Sequence, residues 1–316
     1  MSAASRLAVV VATYNRLAHL RRCLDSIAAH TGGPHEVVVV DGGSTDGTQE
    51  YLGQRAEVRP VVQAGLLGLP QAYNEVWREL DCDYTCWLSD DLELVADGLD
   101  LAVSVLDSNP EVGMVGLKMR DVGEGAKPYG GAISRYGIVN CNHGVIRLDL
   151  LREVGYFHEG YRAYMVDPDL TAAVLSAGAT VVTTKPVVLL HDRTDPVRRE
   201  ERESLADETT DDPAKALYAA RYRYLDRPRP LGDRLLRGLV RLVLRALLAG
   251  LASGRTRFGL NRRDQYVLGS ARFLSPLDPV RSARRPVHLA QRIPAALLRA
   301  DANPYRAAAA ARRRAG

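Results

Sequence analysis

The stretch Glu36-Val-Val-Val-Val-Asp-Gly-Gly-Ser-Thr-Asp-Gly-Thr48 decides the fold class. Its run of valines predicts a strand that is buried on both faces, as in a parallel sheet. The strand ends at Asp41, and a glycine-rich turn then leads into a helix that begins near Thr48. Upstream, residues 7–12 form a second continuous apolar run, and residues 17–29 follow it with apolar side chains at helical spacing. The N-terminal part therefore alternates strand and helix.

This alternation continues through residue 91. Residues 58–62 and 84–88 predict two more strands, and residues 70–80 predict a helix with a proline in its first turn. Such a pattern predicts an α/β fold, doubly wound around a mixed, mainly parallel sheet. Ligands bind these sheets beyond the carboxyl ends of the strands. The residues that follow the predicted strands are therefore expected to converge on one edge of the sheet.

The second half of the chain is less regular. Residues 112–119, 144–147 and 180–190 predict strands. Residues 169–177 predict a helix, with Asp169 as its N-cap. The glycine-rich segment 123–142 is expected to hold the pocket residues that select the substrate.

Composition narrows the class of protein. The 316 residues are 46 % hydrophobic and 25 % charged, as in a globular protein with a sizeable core. The net charge of +4 is small, and the basic C-terminal part lacks interleaved aromatic residues, so no nucleic-acid partner is expected. The four cysteines have no zinc-site spacing and predict free thiols in a reducing compartment. The N-terminal apolar run is too short for a signal peptide, which favours the cytoplasm.

Asp90 and Asp91 come directly after the strand predicted at 84–88. Two adjacent carboxylates repel each other unless a cation lies between them. Their hard oxygen atoms suit Mg²⁺ or Mn²⁺, which in turn bridges the oxygen atoms of a diphosphate. Taken alone, however, the pair is more typical of a solvated acidic turn or a helix cap.

Three other side chains also have two interpretations each. Asp41 either accepts hydrogen bonds from a nucleobase or ribose, or shapes the turn that follows it. Asp167 stands in the turn before the predicted helix, as a general base or as a second capping acid. His191 follows an apolar strand, and it either completes a Mn²⁺ shell or is structural.

Several segments spread over residues 6–195 carry a family resemblance: Val9-Val-Val-Ala-Thr-Tyr-Asn-Arg16, the stretch 36–48, Gly68-Leu-Pro-Gln-Ala-Tyr-Asn74, Leu88-Ser-Asp-Asp91, Glu153-Val-Gly-Tyr-Phe157, and Asp167-Pro-Asp-Leu170 with Gly178. In this order they resemble the family 2 glycosyltransferases, which have the GT-A fold. Leu88-Ser-Asp-Asp91 looks like the DxD metal motif of that family. Each segment alone is a weak signal, but their order is specific.

The resemblance implies a role for each matching residue. The residues implied to contact the nucleotide-sugar are Thr13, Asn15, Asp41, Asn74 and Asp90. The implied metal, Mn²⁺ or Mg²⁺, would be held by Asp91 together with Asp90 and His191. Asp167 would be the catalytic base. Two departures matter: Ser89 occupies the first DxD position, and Val166 stands where many relatives have glutamate.

The implied activity is that of a metal-dependent, inverting hexosyl- or N-acetylhexosaminyltransferase. It would move a sugar from a nucleoside-diphosphate sugar to the hydroxyl of a glycan, a lipid-linked or a secondary-metabolite acceptor, for example in polysaccharide biosynthesis. A nucleotidyltransferase and a non-catalytic nucleotide-sugar-binding protein are the alternatives. The lack of glycine in residues 12–16 argues against the first, and Asp167 argues against the second.

Residues 1–215 are expected to form the GT-A domain, and residues 216–316 a basic, mainly helical extension. Within the extension, residues 231–253 predict an amphipathic helix with arginines three or four positions apart. Such a helix packs on the catalytic domain or on a second subunit of a homo-oligomer, or it lies peripherally on an anionic membrane. Its arginines are too frequent for a membrane span.

Overall fold

A computed structural model describes residues 5–122, 128–129, 131, 133–162, 165–192, 213–226, 239, 273–275 and 290–306. The strands are β1 (Leu7–Thr13), β2 (His35–Asp41), β3 (Val58–Val62), β4 (Tyr84–Ser89), β5 (Leu92–Leu94), β6 (Val112–Gly116), β7 (Met119–Val122), β8 (Pro128–Tyr129), β9 (Gly144–Arg147), β10 (Thr180–Thr183), β11 (Leu189–Asp192), β12 (Leu274–Ser275) and β13 (Ala290–Gln291). The helices are α1 (Leu17–His30), α2 (Thr48–Gly53), α3 (Leu69–Glu79), α4 (Gly98–Ser108), α5 (Leu148–Val154), α6 (Val166–Ser176), α7 (Pro213–Tyr222) and α8 (Ala295–Leu298), and a 3₁₀ turn, Arg223–Leu225, follows α7.

Nine strands form one mixed sheet in the order β12-β13-β10-β6-β9-β4-β1-β2-β3. Strands β3, β2, β1 and β4 are parallel to one another, and β6 is parallel to β10. Strand β9 lies between β4 and β6 and is antiparallel to both. The α/β class and the mainly parallel sheet predicted from the sequence are confirmed.

Both faces of the sheet are buried, as its valine runs predict. Along β1, Ala8 and Val10 belong to one hydrophobic cluster, whereas Val9 and Val11 belong to the other. Helices α3, α5 and α6 contribute to the first cluster, and α1 and α4 contribute to the second. Because strand residues alternate in direction, a continuous apolar run requires a layer on each side.

A smaller sheet has the strand order β5-β11-β7-β8. Its presence corrects two sequence predictions, because the strands expected at 112–119 and 180–190 are each divided between the two sheets. The chain leaves the main sheet after Gly116 and Thr183 and pairs again as β7 and β11, which are parallel to each other. The backbone N–H of Asp192 donates to the carbonyl of Asp91 at 2.9 Å, so this sheet lies directly beside the acid pair.

The prediction that Asp169 caps a helix is wrong. Helix α6 begins three residues earlier, at Val166, and its N-cap is Met165, whose φ of 70° is left-handed. Asp169 is 1 % exposed, and its carboxylate accepts hydrogen bonds from the Tyr161 hydroxyl at 3.0 Å and from Arg221 Nε at 2.8 Å. A buried acid with these partners belongs to the core of the protein.

The described parts of 216–316 are integrated with the rest of the chain. Strand β13 pairs antiparallel with β10 in the main sheet, and Tyr222, Leu225, Ile293 and Leu297 join a main hydrophobic cluster. The division into two domains stays a prediction. The amphipathic segment 231–253 lies outside the described residues, apart from Leu239.

All four cysteines are free thiols, as predicted: Cys23, Cys86 and Cys141 are buried, and Cys82 is half-buried. None of the helices in the described ranges is both long and apolar enough to cross a bilayer.

Candidate active site

The carboxyl ends of β1, β2 and β4 meet at one edge of the main sheet. Thr13 lies opposite Asp41 in the strand register, and Ala12 lies opposite Ser89, so Asp90 follows beside Thr13. The Thr13 hydroxyl donates to Asp90 Oδ2 at 2.8 Å. The convergence expected from the parallel strand pattern is therefore present.

Asp41 and Asn15 hold the two loops at this edge together. The buried Asp41 carboxylate accepts from the Ser44 backbone N–H at 3.1 Å and from its hydroxyl at 2.5 Å. Asn15 adopts a left-handed φ of 50°; its backbone N–H donates to Ser44 Oγ, and its Oδ1 accepts from the Thr45 N–H, both at 2.7 Å. Asparagine tolerates this conformation better than most residues. Asp41 thus shapes its turn, and a contact with a nucleoside stays a prediction.

The acid pair is buried, and its two members have different neighbours. Asp90 is 3 % exposed, and its Oδ1 accepts from Arg16 Nη1 at 2.7 Å. Asp91 is 2 % exposed; its Oδ2 lies 3.3 Å from His191 Nε2 and 3.9 Å from Arg16 Nη1. The alternative of a solvated acidic turn is excluded by this burial. Buried carboxylates need neighbouring positive charge, which Arg16 supplies in this structure.

Arg16 is a site residue that sequence reasoning did not select. It ends the motif 9–16 and is the N-cap residue of α1, directly after the loop that follows β1. The available signal was a cationic residue three positions beyond the carboxyl end of a buried strand. Such a residue can reach the groups that follow the neighbouring strand.

The smaller sheet orients His191. His191 on β11 and Asp121 on β7 are paired in register, and His191 Nδ1 lies 3.1 Å from Asp121 Oδ1. With Nδ1–H donating to this carboxylate, Nε2 presents its lone pair towards Asp91. A carboxylate that orients the far nitrogen of an imidazole is typical of metal-binding histidines. Asp121 was also missed by sequence reasoning, because it is 70 positions away.

The Asp91–His191 pair fits a divalent cation. Neighbouring octahedral ligands at about 2.1 Å from one ion lie about 3 Å apart, close to the separation found here. The described part of the chain contains no cluster of three or more His, Cys, Asp or Glu side chains suited to a metal. Asp90, predicted to share the metal, is held by Thr13 and Arg16.

Asp167 lies in the first turn of α6, not in the turn before it as predicted. Burial raises the pKa of its carboxyl from 3.8 to about 7. The Thr171 hydroxyl donates to its carbonyl oxygen at 2.8 Å, as helical geometry allows. A carboxyl that titrates near neutral pH is suited to accept a proton from a hydroxyl.

His143 and Asn74 have structural partners. His143 Nδ1 lies 3.1 Å from the Trp87 carbonyl; burial, with a smaller contribution from the nearby His191, lowers the pKa of its imidazole to about 3. Asn74 Nδ2 donates to the Phe157 carbonyl at 2.8 Å, and its Oδ1 accepts from the Phe157 N–H at 3.0 Å. The Asn74 amide therefore ties α3 to the loop after α5, and a contact with the nucleotide-sugar stays a prediction.

Comparison with known proteins identifies the class. The model of glycosyl transferase family 2 matches residues 8–169, which is half of the chain, and the protein belongs to this family. The matched region contains the edge of the sheet described above and ends within α6.

Individual relatives are more distant. A PGL/p-HBAD biosynthesis glycosyltransferase of Mycobacterium bovis is 36 % identical over 93 residues, which cover 27 % of this chain and 34 % of that protein. An uncharacterized glycosyltransferase of Nostoc sp. is 31 % identical over 90 residues, 25 % of this chain and 28 % of its own. This chain thus spans about a third or less of these curated relatives.

Solved structures share the fold. The crystal structure of S. aureus TarS 1–349 is 19 % identical, with a TM-score of 0.52, and covers 59 % of this chain and 60 % of that one. The same protein in complex with UDP-GlcNAc has a TM-score of 0.51, at 19 % identity, and covers 60 % of this chain and 59 % of that one.

Proposed function

We propose that this protein is an inverting glycosyltransferase that moves a sugar from a nucleoside-diphosphate sugar to an acceptor hydroxyl. The observation that carries the proposal is the joint presence of two different groups of side chains in the described part of the chain. One lies at the carboxyl edge of the sheet, where Asp90, Asp91 and His191 are buried and Arg16 is half-buried. The other is the Asp167 carboxyl in the first turn of α6, with a pKa of about 7.

The first site is suited to a diphosphate. Arg16 is a charged donor able to turn from Asp90 to a phosphate oxygen, and Asp91 and His191 would hold Mn²⁺ or Mg²⁺. A bound cation would neutralise negative charge on the departing nucleoside diphosphate. The TarS complex with UDP-GlcNAc supports a nucleotide-sugar donor and makes UDP-GlcNAc the first donor to test.

The second site supplies the base. The Asp167 carboxylate takes the proton from the acceptor hydroxyl while the hydroxyl oxygen attacks the anomeric carbon. The bond from that carbon to the diphosphate oxygen breaks in the same displacement, and the configuration inverts. No enzyme-bound sugar forms in this sequence of steps.

The proposal is tested by binding and turnover together. We expect UDP-GlcNAc or another nucleotide-sugar to raise the melting temperature, and Mn²⁺ to increase that effect. Asp91→Asn is expected to lose the Mn²⁺-dependent part of the shift. Asp83→Asn is the matched control, because Asp83 precedes β4 at its amino end and is exposed. If no nucleotide-sugar in a broad panel stabilises the protein with or without Mn²⁺, the proposed function is wrong.

A further inference from the structure

Two amide oxygens near the candidate site are buried without a hydrogen bond from the described part of the chain. They are Oδ1 of Asn140 and Oδ1 of Asn142. Asn140 is 6 % exposed, and Asn142 is half-buried. A buried acceptor without a partner costs about 1–3 kcal/mol, so most buried polar atoms in native proteins are paired. Two such oxygens, two positions apart, offer acceptors to a ligand that carries hydrogen-bond donors.

Residues 140–143, which contain both asparagines, are attached at one side to α6, the helix that carries the proposed base. The Cys141 backbone N–H donates to Thr171 Oγ1 at 3.0 Å, and that hydroxyl donates to the Asp167 carbonyl at 2.8 Å. The Cys141 side chain is buried against Gly116, where a Cβ on the glycine would lie 2.5 Å from the sulfur. Cys141 is therefore packed closely between α6 and the end of β6.

The other end is attached to β4, the strand that directly precedes the acid pair. Trp87 Nε1 donates to the Asn142 carbonyl at 2.9 Å, and His143 Nδ1 lies 3.1 Å from the Trp87 carbonyl. Trp87 is three residues before Asp90, and His143 interacts electrostatically with His191. Residues 140–143 thus connect α6, which carries the proposed base, to β4, which precedes the acid pair, and we call them the bridging segment.

The bridging segment is also held rigidly at its start. Gln291 on β13 donates to the Val139 carbonyl at 2.7 Å and accepts from the Val139 N–H at 2.8 Å. Both backbone groups before Asn140 are therefore fixed by one buried side chain. A rigid backbone holds polar side chains in place for a ligand before the ligand arrives.

We propose that Asn140 and Asn142 recognise the transferred sugar by accepting hydrogen bonds from its hydroxyl or acetamido N–H groups. This inference rests on the proposed function, because in that reaction the sugar lies between the base and the diphosphate. Both amide oxygens are acceptors only, so they match donors on a sugar. A site built in this way discriminates strongly against a sugar that lacks the matching group, since the buried oxygen then stays unpaired.

The test compares the affinity of the purified protein for a nucleotide-sugar with its affinity for the free nucleotide. Asn140→Leu and Asn142→Leu remove each acceptor at similar volume, and Asn140→Asp keeps an acceptor as the matched control. Calorimetry is used to measure binding of UDP-GlcNAc, UDP-glucose, UDP-galactose and UDP to each variant. For the best sugar, each leucine variant is expected to bind about 10-fold more weakly, whereas its affinity for UDP is unchanged. Asn140→Asp is expected to retain most of the affinity.

A second measurement identifies which group of the sugar donates to each asparagine. A deoxy analogue that lacks the recognised hydroxyl is expected to bind the wild type more weakly than the best sugar does. The leucine variant that lacks the matching acceptor is expected to bind this analogue and the best sugar with equal affinity. Leucine variants that bind the nucleotide-sugar as tightly as the wild type would overturn this inference and leave the proposed function intact. Equal losses for UDP and UDP-sugar would also overturn it. A wild type that binds no nucleotide-sugar of the broad panel described above would refute the proposed function itself.

Discussion

Replacing Asp167 by asparagine is expected to remove most turnover and, at neutral pH, to stabilise the folded protein. The first effect follows from the loss of the proton acceptor, which contributes about 10²–10⁴-fold to the rate in enzymes with a general base. The second follows from burial, which raises the pKa of this carboxyl from 3.8 to about 7. The folded state then holds the Asp167 proton more tightly than the unfolded chain does.

The magnitude depends on pH. Each tenfold difference in proton affinity corresponds to about 1.4 kcal/mol, so the ionised carboxylate destabilises the fold by about 4 kcal/mol at pH 8. At pH 5 the folded carboxyl is protonated and the penalty is only about 1.5 kcal/mol. Asparagine cannot ionise, and the advantage of Asp167→Asn is therefore expected to grow by roughly 2.5 kcal/mol between pH 5 and pH 8.

Urea unfolding of both proteins at several pH values measures this difference, and a sugar-transfer assay measures the rate. The wild-type rate is expected to rise with pH through about 7 and then to level off, because the base works only when it is deprotonated. UDP-GlcNAc binding to Asp167→Asn is expected to be unchanged. A variant with full activity would show that Asp167 is not the base. A stability difference independent of pH would show that its pKa is not raised.

Three further substitutions test other parts of the structure. Arg221→Met is expected to lower the free energy of unfolding by about 3 kcal/mol, because the buried Asp169 loses its cationic partner; Arg221→Met combined with Asp169→Asn should recover much of this loss in the same denaturation assay. His191→Ala is expected to abolish the Mn²⁺-dependent part of UDP stabilisation but to retain metal-free UDP binding, as measured by thermal shift; an unchanged Mn²⁺ effect would exclude His191 as a ligand. Gly68→Ala is expected to lower the free energy of unfolding by about 1–3 kcal/mol, because the φ of Gly68 is +105°. Gly53→Ala is the control and is expected to be neutral or stabilising, because an added Cβ there would meet open space. Equal stabilities of the two variants would contradict the assigned strain.

The sequence predicted the elements that local patterns determine. Strands β3 and β9 have the predicted bounds, 58–62 and 144–147, because apolar runs between turns define them without reference to the rest of the chain. The place of β9 could not be predicted, since its antiparallel pairing with β4 and β6 depends on contacts between distant residues. The smaller sheet was missed for the same reason.

The candidate site could likewise be predicted only where it does not depend on contacts between distant residues. Thr13, Asp41 and the acid pair follow predicted parallel strands, and their convergence could be deduced from strand direction alone. The orientation of His191 depends on Asp121, which belongs to another predicted strand. Asp169 was assigned as a cap because aspartate favours that position, but burial beside Tyr161 and Arg221 decided its place.

The link between Asp169 and the C-terminal part limits how this protein can be recombined. Arg221 Nε donates to Asp169, and Arg221 Nη2 donates to the Tyr305 hydroxyl at 2.7 Å, so the helix that carries Asp167 is held by residues more than fifty positions later. A chimera that takes residues 5–192 from this chain and its tail from a relative without this arginine would contain every side chain of the candidate site. Its Asp169 carboxylate would nevertheless be left in the core without a counter-charge. The segment that can be exchanged intact between relatives of this protein is therefore longer than the segment that contains the family motifs.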